Sequence, residues 1–303
     1  MRSFVALVSI GALVACVAPA DDSAPATAPT ATPTPTQAPV PSPVPPPPPA
    51  GPATFVYSGE LTQGGWLRGQ APAGTVSARI GEQPLSLDPE GRFFAAFDRD
   101  AGPTTTLTAV LRDGRTVESP LTVAPRAWHI EHVNADFRAN VPDAEFTRRR
   151  EPELARIAAA RAIESGSEGW RQTFIWPVTG RISGRFGSQR VYRGKPGSYH
   201  SGLDIAGGAG TTYVAPADGV VVLAAETPFT LEGYLLIVDH GQGLSSAFLH
   251  SSELLVREGE RVRQGQPIGR IGATGRATGP HLHWGLMWRG QRLDPLLFVG
   301  PLP

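Results

Sequence analysis

The sequence predicts a mainly β protein: a small N-terminal β-sandwich, a helical connector, and a C-terminal antiparallel β domain with a groove. Three observations carry this. The 303 residues include 35 Gly and 31 Pro, which favours strands and turns over long helices. Short alternating apolar–polar runs bounded by turn signals recur on both sides of one stretch. Only that stretch, about residues 143–166, has a helical character. The length accommodates two modest domains plus extra segments.

Residues 1–15 read as a signal peptide, with Cys16 as the first residue after it. Arg2 supplies the positive start, and the apolar stretch Phe4–Val14 is too short to span a bilayer. The run Leu13-Val14-Ala15-Cys16 resembles the lipobox of bacterial lipoproteins, in which cleavage precedes the cysteine and its thiol carries a diacylglycerol. Val17 rather than an aspartate follows, which favours the outer membrane of a Gram-negative envelope. As the chain has one cysteine, it can form no internal disulfide and no Cys-based zinc cluster.

Residues 16–52 form a Pro-rich tether, with proline at 14 of the 34 positions from Pro19 to Pro52. So little large apolar surface cannot offset the entropy of ordering, and the segment is expected to stay unfolded. In polyproline II conformation it would reach on the order of 100 Å.

Residues 53–126 are assigned to the β-sandwich. "TVSARIGEQPLSLDPEGRFFAAFDRD" and "TTTLTAVLRDGRTVESPLTV" alternate, and Asp113-Gly114 marks a hairpin turn. This part has no histidine and no cluster resembling a site. Residues 127–170 are assigned to the connector. Pro152 suits a first helical turn, so the helix is expected to be surest from there, with Leu154, Ile157, Ala158 and Ala162 on one face and Gly166 as its stop. A packed connector is expected, with a lid over the following domain as the alternative.

Residues 171–303 return to strands and hold five of the seven histidines. The runs "DIAGGAG" and "GATGRATG" lack Gly-Lys-Ser/Thr and no helix pattern follows, so nucleotide binding is excluded. Zero formal net charge argues against a nucleic-acid partner. In "GPHLHWGL" a strand would point His281 and His283 the same way, about 6.5–7 Å apart. That separation lets one ligate a zinc ion while the other leans over an open coordination position. In "YHSGLDIAGGAG" a straight strand would hold His200 and Asp204 roughly 13 Å apart. A kink at Ser201-Gly202 would bring them together on one ion. With His283 they would make three protein ligands and leave a fourth position for water, the pattern of catalytic zinc sites. His250, ending the run "SSAFLHSS", can face the same groove.

These residues, His200-x-x-x-Asp204, His250 after a strand and His281-x-His283 after "GATGRATGP", resemble the lysostaphin/LytM-type zinc metallopeptidases, the peptidoglycan endopeptidases. The likeness runs from about Ile175 to Pro295 and includes "VAPADGVV", "VDHGQG" and "VRQGQPIGRIGATG". It implies a barrel-sandwich-hybrid domain and zinc held by His200, Asp204 and His283. His250 and His281 would be the remaining active-site histidines. Phe248 and Ser251 stand where the family often has Tyr and Leu, a departure expected to bear on the specificity of the groove. His240 in "VDHG" is expected to be structural, as a turn residue bonded to the backbone, and His129 and His132 to be incidental.

The resemblance implies a zinc endopeptidase cutting peptide cross-links of peptidoglycan; the expected lipid anchor and tether point to a Gram-negative envelope and so to D-alanyl–diaminopimelate bonds, with an oligoglycine bridge as the alternative. A different class is also open: some relatives have lost the zinc ligands and instead activate cell-wall amidases. A lipoyl or biotinyl carrier, suggested by "VREGERVRQGQPIGRIG", needs an attachment lysine at a hairpin tip. The sole lysine, Lys195, lies before His200, and this excludes a carrier. Peptidoglycan and, through Cys16, the membrane are the expected partners.

Overall fold

The computed structural model describes residues 51–136 and 143–302. The expected signal peptide, Cys16 and nearly all of the tether lie outside the described residues. No helix among the described residues is long and apolar enough to cross a membrane.

The N-terminal region has seven strands: β1 Val56–Glu60, β2 Trp66–Gln70, β3 Thr75–Ile80, β4 Gln83–Leu85, β5 Arg92–Ala96, β6 Thr104–Leu111 and β7 Thr116–Thr122. They form two antiparallel sheets, ordered β1-β2-β5 and β4-β3-β6-β7. The predicted hairpin turn joins β6 to β7, with Gly114 at φ +83° and the Asp113 carboxylate accepting from the Arg115 amide. Glycine carries the left-handed backbone there without a Cβ penalty. Leu67, Phe93, Leu107 and Ala109 are fully buried between the sheets.

The connector is not helical throughout. It opens with β8, Ile130–Val133, which pairs in parallel with a later strand. His129 and His132 sit exposed on this segment. Helix α1 then spans Ala144–Arg161, capped by the Asp143 side chain accepting from the Phe146 amide. Pro152 lies inside it, not in the first turn. An internal proline costs about 3 kcal/mol of helix stability, and tertiary ties on both sides of it offset this. Both terminal guanidinium nitrogens of Arg150 donate to the Glu232 carboxylate, at 2.6 and 2.7 Å. Glu153 accepts from the Thr230 amide and hydroxyl at 2.7 and 2.8 Å. The packed face also differs from the expected one. Ile157 and Ala160 are buried, whereas Leu154, Ala158 and Ala162 are exposed. The helix ends before Gly166, with Ala162 as its C-cap.

The C-terminal region contains β9 Ile182–Gly184, β10 Gln189–Tyr192, β11 Lys195–Tyr199, β12 Leu203–Ala206, β13 Thr212–Val214, β14 Gly219–Ala224 and β15 Tyr234–Gly241. It continues with β16 Leu244–Ser251, β17 Glu253–Leu254, β18 Arg261–Val262, β19 Pro267–Arg270, β20 His281–Trp288 and β21 Gln291–Leu293. The main sheet runs β18-β14-β15-β16-β20-β12-β9, with β21 also paired to β20. A smaller sheet, β13-β19-β17, accompanies it.

Period-two alternation divides β20 into two faces. Leu282, Trp284, Leu286 and Trp288 are essentially fully buried. His281, His283, Gly285 and Met287 lie on the other face. There β20 and β16 are paired, Leu249 opposite His283 and Ser245 opposite Met287. Helix α1 covers part of the neighbouring surface, packing Ile157 and Ala160 on Val222, Leu235 and Ile237, with Ala247 and Leu249 at the edge. The two β regions share one apolar core. Trp66 meets Phe298 at 5.4 Å between ring centroids and Phe94 meets Trp288 at 6.3 Å. The Trp66 indole N–H donates to the Leu297 carbonyl at 2.8 Å.

Candidate metal centre

The chain breaks from β11 into β12 at residues 200–202, where no strand is formed. This is the kink expected at Ser201-Gly202, and it folds His200 back over Asp204. Strand pairing supplies the third group, since Asp204 and His283 are register partners between β12 and β20. His200 Nε2 lies 3.0 Å from Asp204 Oδ1 and 3.2 Å from His283 Nδ1. His283 Nδ1 lies 2.8 Å from the same carboxylate oxygen. Among the described residues these three form one group able to hold a metal ion.

The donor set fits zinc. Ligands 2.0–2.1 Å from a tetrahedral ion are about 3.3 Å apart, and the three observed separations approach that edge. The tautomers fit as well. His200 Nδ1 sits 3.0 Å from the Arg185 carbonyl, a contact that needs a proton on Nδ1 and so leaves the Nε2 lone pair aimed at the cluster. Gly202 makes the close approach possible, because a Cβ there would come within 2.6 Å of His283 Nε2.

Charge agrees with geometry. Burial would raise the Asp204 pKa, but hydrogen bonds from His200 and His283 and their charges hold it well below the usual carboxylate range. Burial, only partly offset by Asp204, pushes His283 down. For His200 burial is outweighed by the Asp204 contact, and the pKa rises. The site therefore offers one anionic oxygen and two imidazole nitrogens.

His281 and His250 flank this group. His281 Nε2 is 3.8 Å from Asp204 Oδ1, farther than the His283 nitrogen, and its Nδ1 is 2.8 Å from the Gly279 carbonyl. His250 Nδ1 is 2.8 Å from the Thr274 carbonyl. Both rings are thus held with Nδ1 protonated and Nε2 available, and their centroids are 5.1 Å apart. Burial, reinforced by the neighbouring histidine charges, pushes the His250 pKa down.

His250 reaches this position by breaking alternation. Leu249 shares the outward face with His283, so the next residue of a regular strand would point inward. Instead His250 has φ +64°, and the β15–β16 register shifts between Tyr234 and Leu236. This bulge rotates the imidazole back to the site.

Two depressions meet at the cluster. One is lined by Arg181, Ser183, Asp204, Thr278 and His281. The other runs from His283 along β20 beneath α1. The helix that the sequence reads as a connector is therefore also one wall of the groove, and nothing local in its sequence signals this.

Three residues fall elsewhere than expected. Phe248 and Ser251 do not line the groove: both are fully buried, Phe248 stacks on Tyr213 at 5.3 Å and Ser251 Oγ is 2.8 Å from the Tyr213 hydroxyl. His240 is structural, but it lies within β15 and not in a turn. It bridges the Asp218 carbonyl and the Ser246 hydroxyl at 2.7 Å each, and burial lowers its pKa to about 4.

Comparison with known proteins gives a consistent family. Residues 198–295 match the family described as Peptidase family M23. Peptidoglycan DD-endopeptidase ShyA of Vibrio cholerae is 38% identical over 117 residues, 38% of this chain and 27% of the relative. Lipoprotein NlpD/LppB homolog of Pseudomonas aeruginosa is 38% identical over 133 residues, 43% of this chain and 40% of the relative. Murein hydrolase activator NlpD of Escherichia coli is 34% identical over 129 residues, 42% of this chain and 31% of the relative. The chain therefore spans between about a quarter and two fifths of the length of these curated relatives. A solved Pseudomonas aeruginosa structure, described as a candidate peptidase M23, covers 78% of this chain and 94% of its own with a TM-score of 0.60 at 29% identity.

Proposed function

Because residues 198–295 constitute a peptidase M23 domain, we propose that the protein is a zinc metalloendopeptidase that hydrolyses peptide cross-links of peptidoglycan. The bond favoured is D-alanyl–diaminopimelate, as the similarity to a DD-endopeptidase suggests. The observation that carries the reading is the complete group of His200, Asp204 and His283, with two further imidazoles turned to it.

His200, Asp204 and His283 would hold the ion. Zinc bound there would supply Lewis acidity and a water of lowered pKa. The remaining chemistry belongs to the chain. His250 and His281 each present Nε2 while Nδ1 is fixed on a carbonyl, so either ring can take a proton at Nε2. The other, once protonated, donates a hydrogen bond to the oxygen that becomes negative as the peptide carbonyl is attacked. The groove on both sides of the cluster would hold an extended peptide.

One observation favours a second reading. Several relatives are named murein hydrolase activators, and a non-catalytic activator of amidases would need the fold without the chemistry. The intact His/Asp group argues for the enzyme. We further propose that Cys16 is lipidated and anchors the protein in the outer membrane, facing the periplasm, with the Pro-rich segment giving it reach to the wall. Purified sacculi incubated with the full chain, with and without a chelator, separate the two readings. The enzyme releases cross-link-derived peptides that chelation abolishes. An activator releases nothing alone and stimulates an added amidase.

A further inference from the structure

Away from the metal group, the depression beneath α1 contains two arginines with no acidic partner. Arg161, from the last turn of α1, and Arg292, from β21, both line it together with Ser245 and Met287. Neither guanidinium has a hydrogen bond or ion pair among the described residues. The carboxylates nearby are engaged elsewhere. Both Glu232 oxygens are held by Arg150, and Asp98 Oδ2 accepts from the Arg292 backbone amide. The Arg292 head group lies 5.9 Å from the centre of the Tyr199 ring. Crowding by the cleft walls and then the Arg292 charge push the Arg161 pKa down, with Glu232 offsetting part of this, although the side chain stays exposed to solvent. Both side chains reach solvent, and among the described residues neither guanidinium is held by a carboxylate, so the pair presents two positive charges to whatever enters the depression. An anion between them would accept charge-assisted hydrogen bonds from both.

Register places the pair relative to the proposed chemistry. Arg292 is opposite Met287 in the β20–β21 pairing, and Met287 is four residues along β20 from His283. At the rise of a strand that is about 13 Å. An extended peptide would cover the distance in roughly four residues. We propose that Arg161 and Arg292 form an anion subsite that takes a free carboxylate of a peptidoglycan stem peptide, three or four residue lengths from the scissile bond. This rests on the reading of the groove as a peptide cleft. It adds that the substrate is read by a remote negative charge, which a neutral oligoglycine bridge does not carry.

The test is direct binding, which does not depend on turnover. A stem tetrapeptide muropeptide with free carboxylates, and the same molecule with them amidated, are titrated calorimetrically into the full chain after chelation. The parent and the variants Arg161→Gln, Arg292→Gln and the double variant are compared, with thermal unfolding checked for each. The parent is expected to prefer the free acid by about tenfold or more, in keeping with hydrogen bonds between charged groups. Each single variant should lose part of this preference, and the double variant should bind both forms equally, at the affinity of the amide. Equal binding of both forms by the parent, no binding of either, or an undiminished preference in a folded double variant overturns the proposal. If the parent discriminates yet the zinc-loaded protein releases nothing from sacculi, the endopeptidase reading fails and the subsite stands.

Discussion

Replacing His250 by glycine should leave the protein more stable than replacing it by alanine, the reverse of the usual order in a strand. Both substitutions delete the imidazole and its hydrogen bond to the Thr274 carbonyl, so those losses cancel in the comparison. What differs is the backbone. At φ +64° a residue with a Cβ costs roughly 1–2 kcal/mol relative to glycine. Glycine gives back about 0.5–1 kcal/mol through the greater entropy of its unfolded chain. The net expectation is an advantage of about 1 kcal/mol for His250→Gly, or about 2–4 °C in the melting temperature of a protein of this size. Urea unfolding followed by tryptophan fluorescence measures it, with chelated and zinc-loaded samples run in parallel. Both variants should lose turnover by about a hundredfold or more. If alanine proves as stable as glycine, the left-handed backbone at residue 250 is not what turns the ring into the groove. In that case the argument from the bulge fails.

Other outcomes follow from the same geometry. His200→Ala, Asp204→Ala and His283→Ala should each lose zinc at ordinary free-metal levels, while His281→Ala should retain it and lose turnover; elemental analysis beside muropeptide release on the four preparations decides. Gly202→Ala would place a Cβ 2.6 Å from both His283 Nε2 and the Trp284 carbonyl oxygen, so it should lower both stability and zinc content, visible as a melting shift that added zinc does not fully restore. His240 has a folded-state pKa lowered to about 4 against about 6.5 unfolded, so the unfolded chain takes up the proton first as pH falls. Stability should be level above about pH 6.5 and decline by roughly 3 kcal/mol towards pH 4. A His240→Gln variant should show a flatter profile over that window in denaturant titrations. Cys16→Ser should move the protein out of the membrane fraction, and an unchanged distribution on fractionation would remove the lipid anchor.

Much of the site could be read from spacing alone. A glycine between His200 and Asp204 argues for a kink, and period-two alternation puts His281 and His283 on one face. Those are local properties of backbone and strand. What spacing misses is set by partners far away in the chain. His250 has the parity of an inward residue in β16, and only the register shift against β15 turns it outward. Phe248 and Ser251 sit inward because Tyr213, from another sheet, packs on one and bonds the other. Pro152 reads as a helix start because its cost is a local quantity, whereas the ties from Arg150 and Glu153 to residues 230–232 are not. For the same reason α1 reads as a connector, since its position beside the groove depends on Glu232, 82 residues downstream of Arg150.

The aromatic contacts of Trp66 with Phe298 and of Phe94 with Trp288 bear on what can be cut or exchanged in this protein. Family resemblance draws its boundary at residues 198–295, yet Phe298 lies beyond that boundary and Trp66 and Phe94 lie far before it. A fragment trimmed to the family boundary would strip the cover from Trp288 and present a contiguous apolar surface to water, an invitation to self-association. Swapping the N-terminal strands for those of a relative would require matching indole and phenyl shapes across the seam. The segments on either side should accordingly melt together as one cooperative block in hydrogen exchange, with no plateau in which one half opens while the other stays protected.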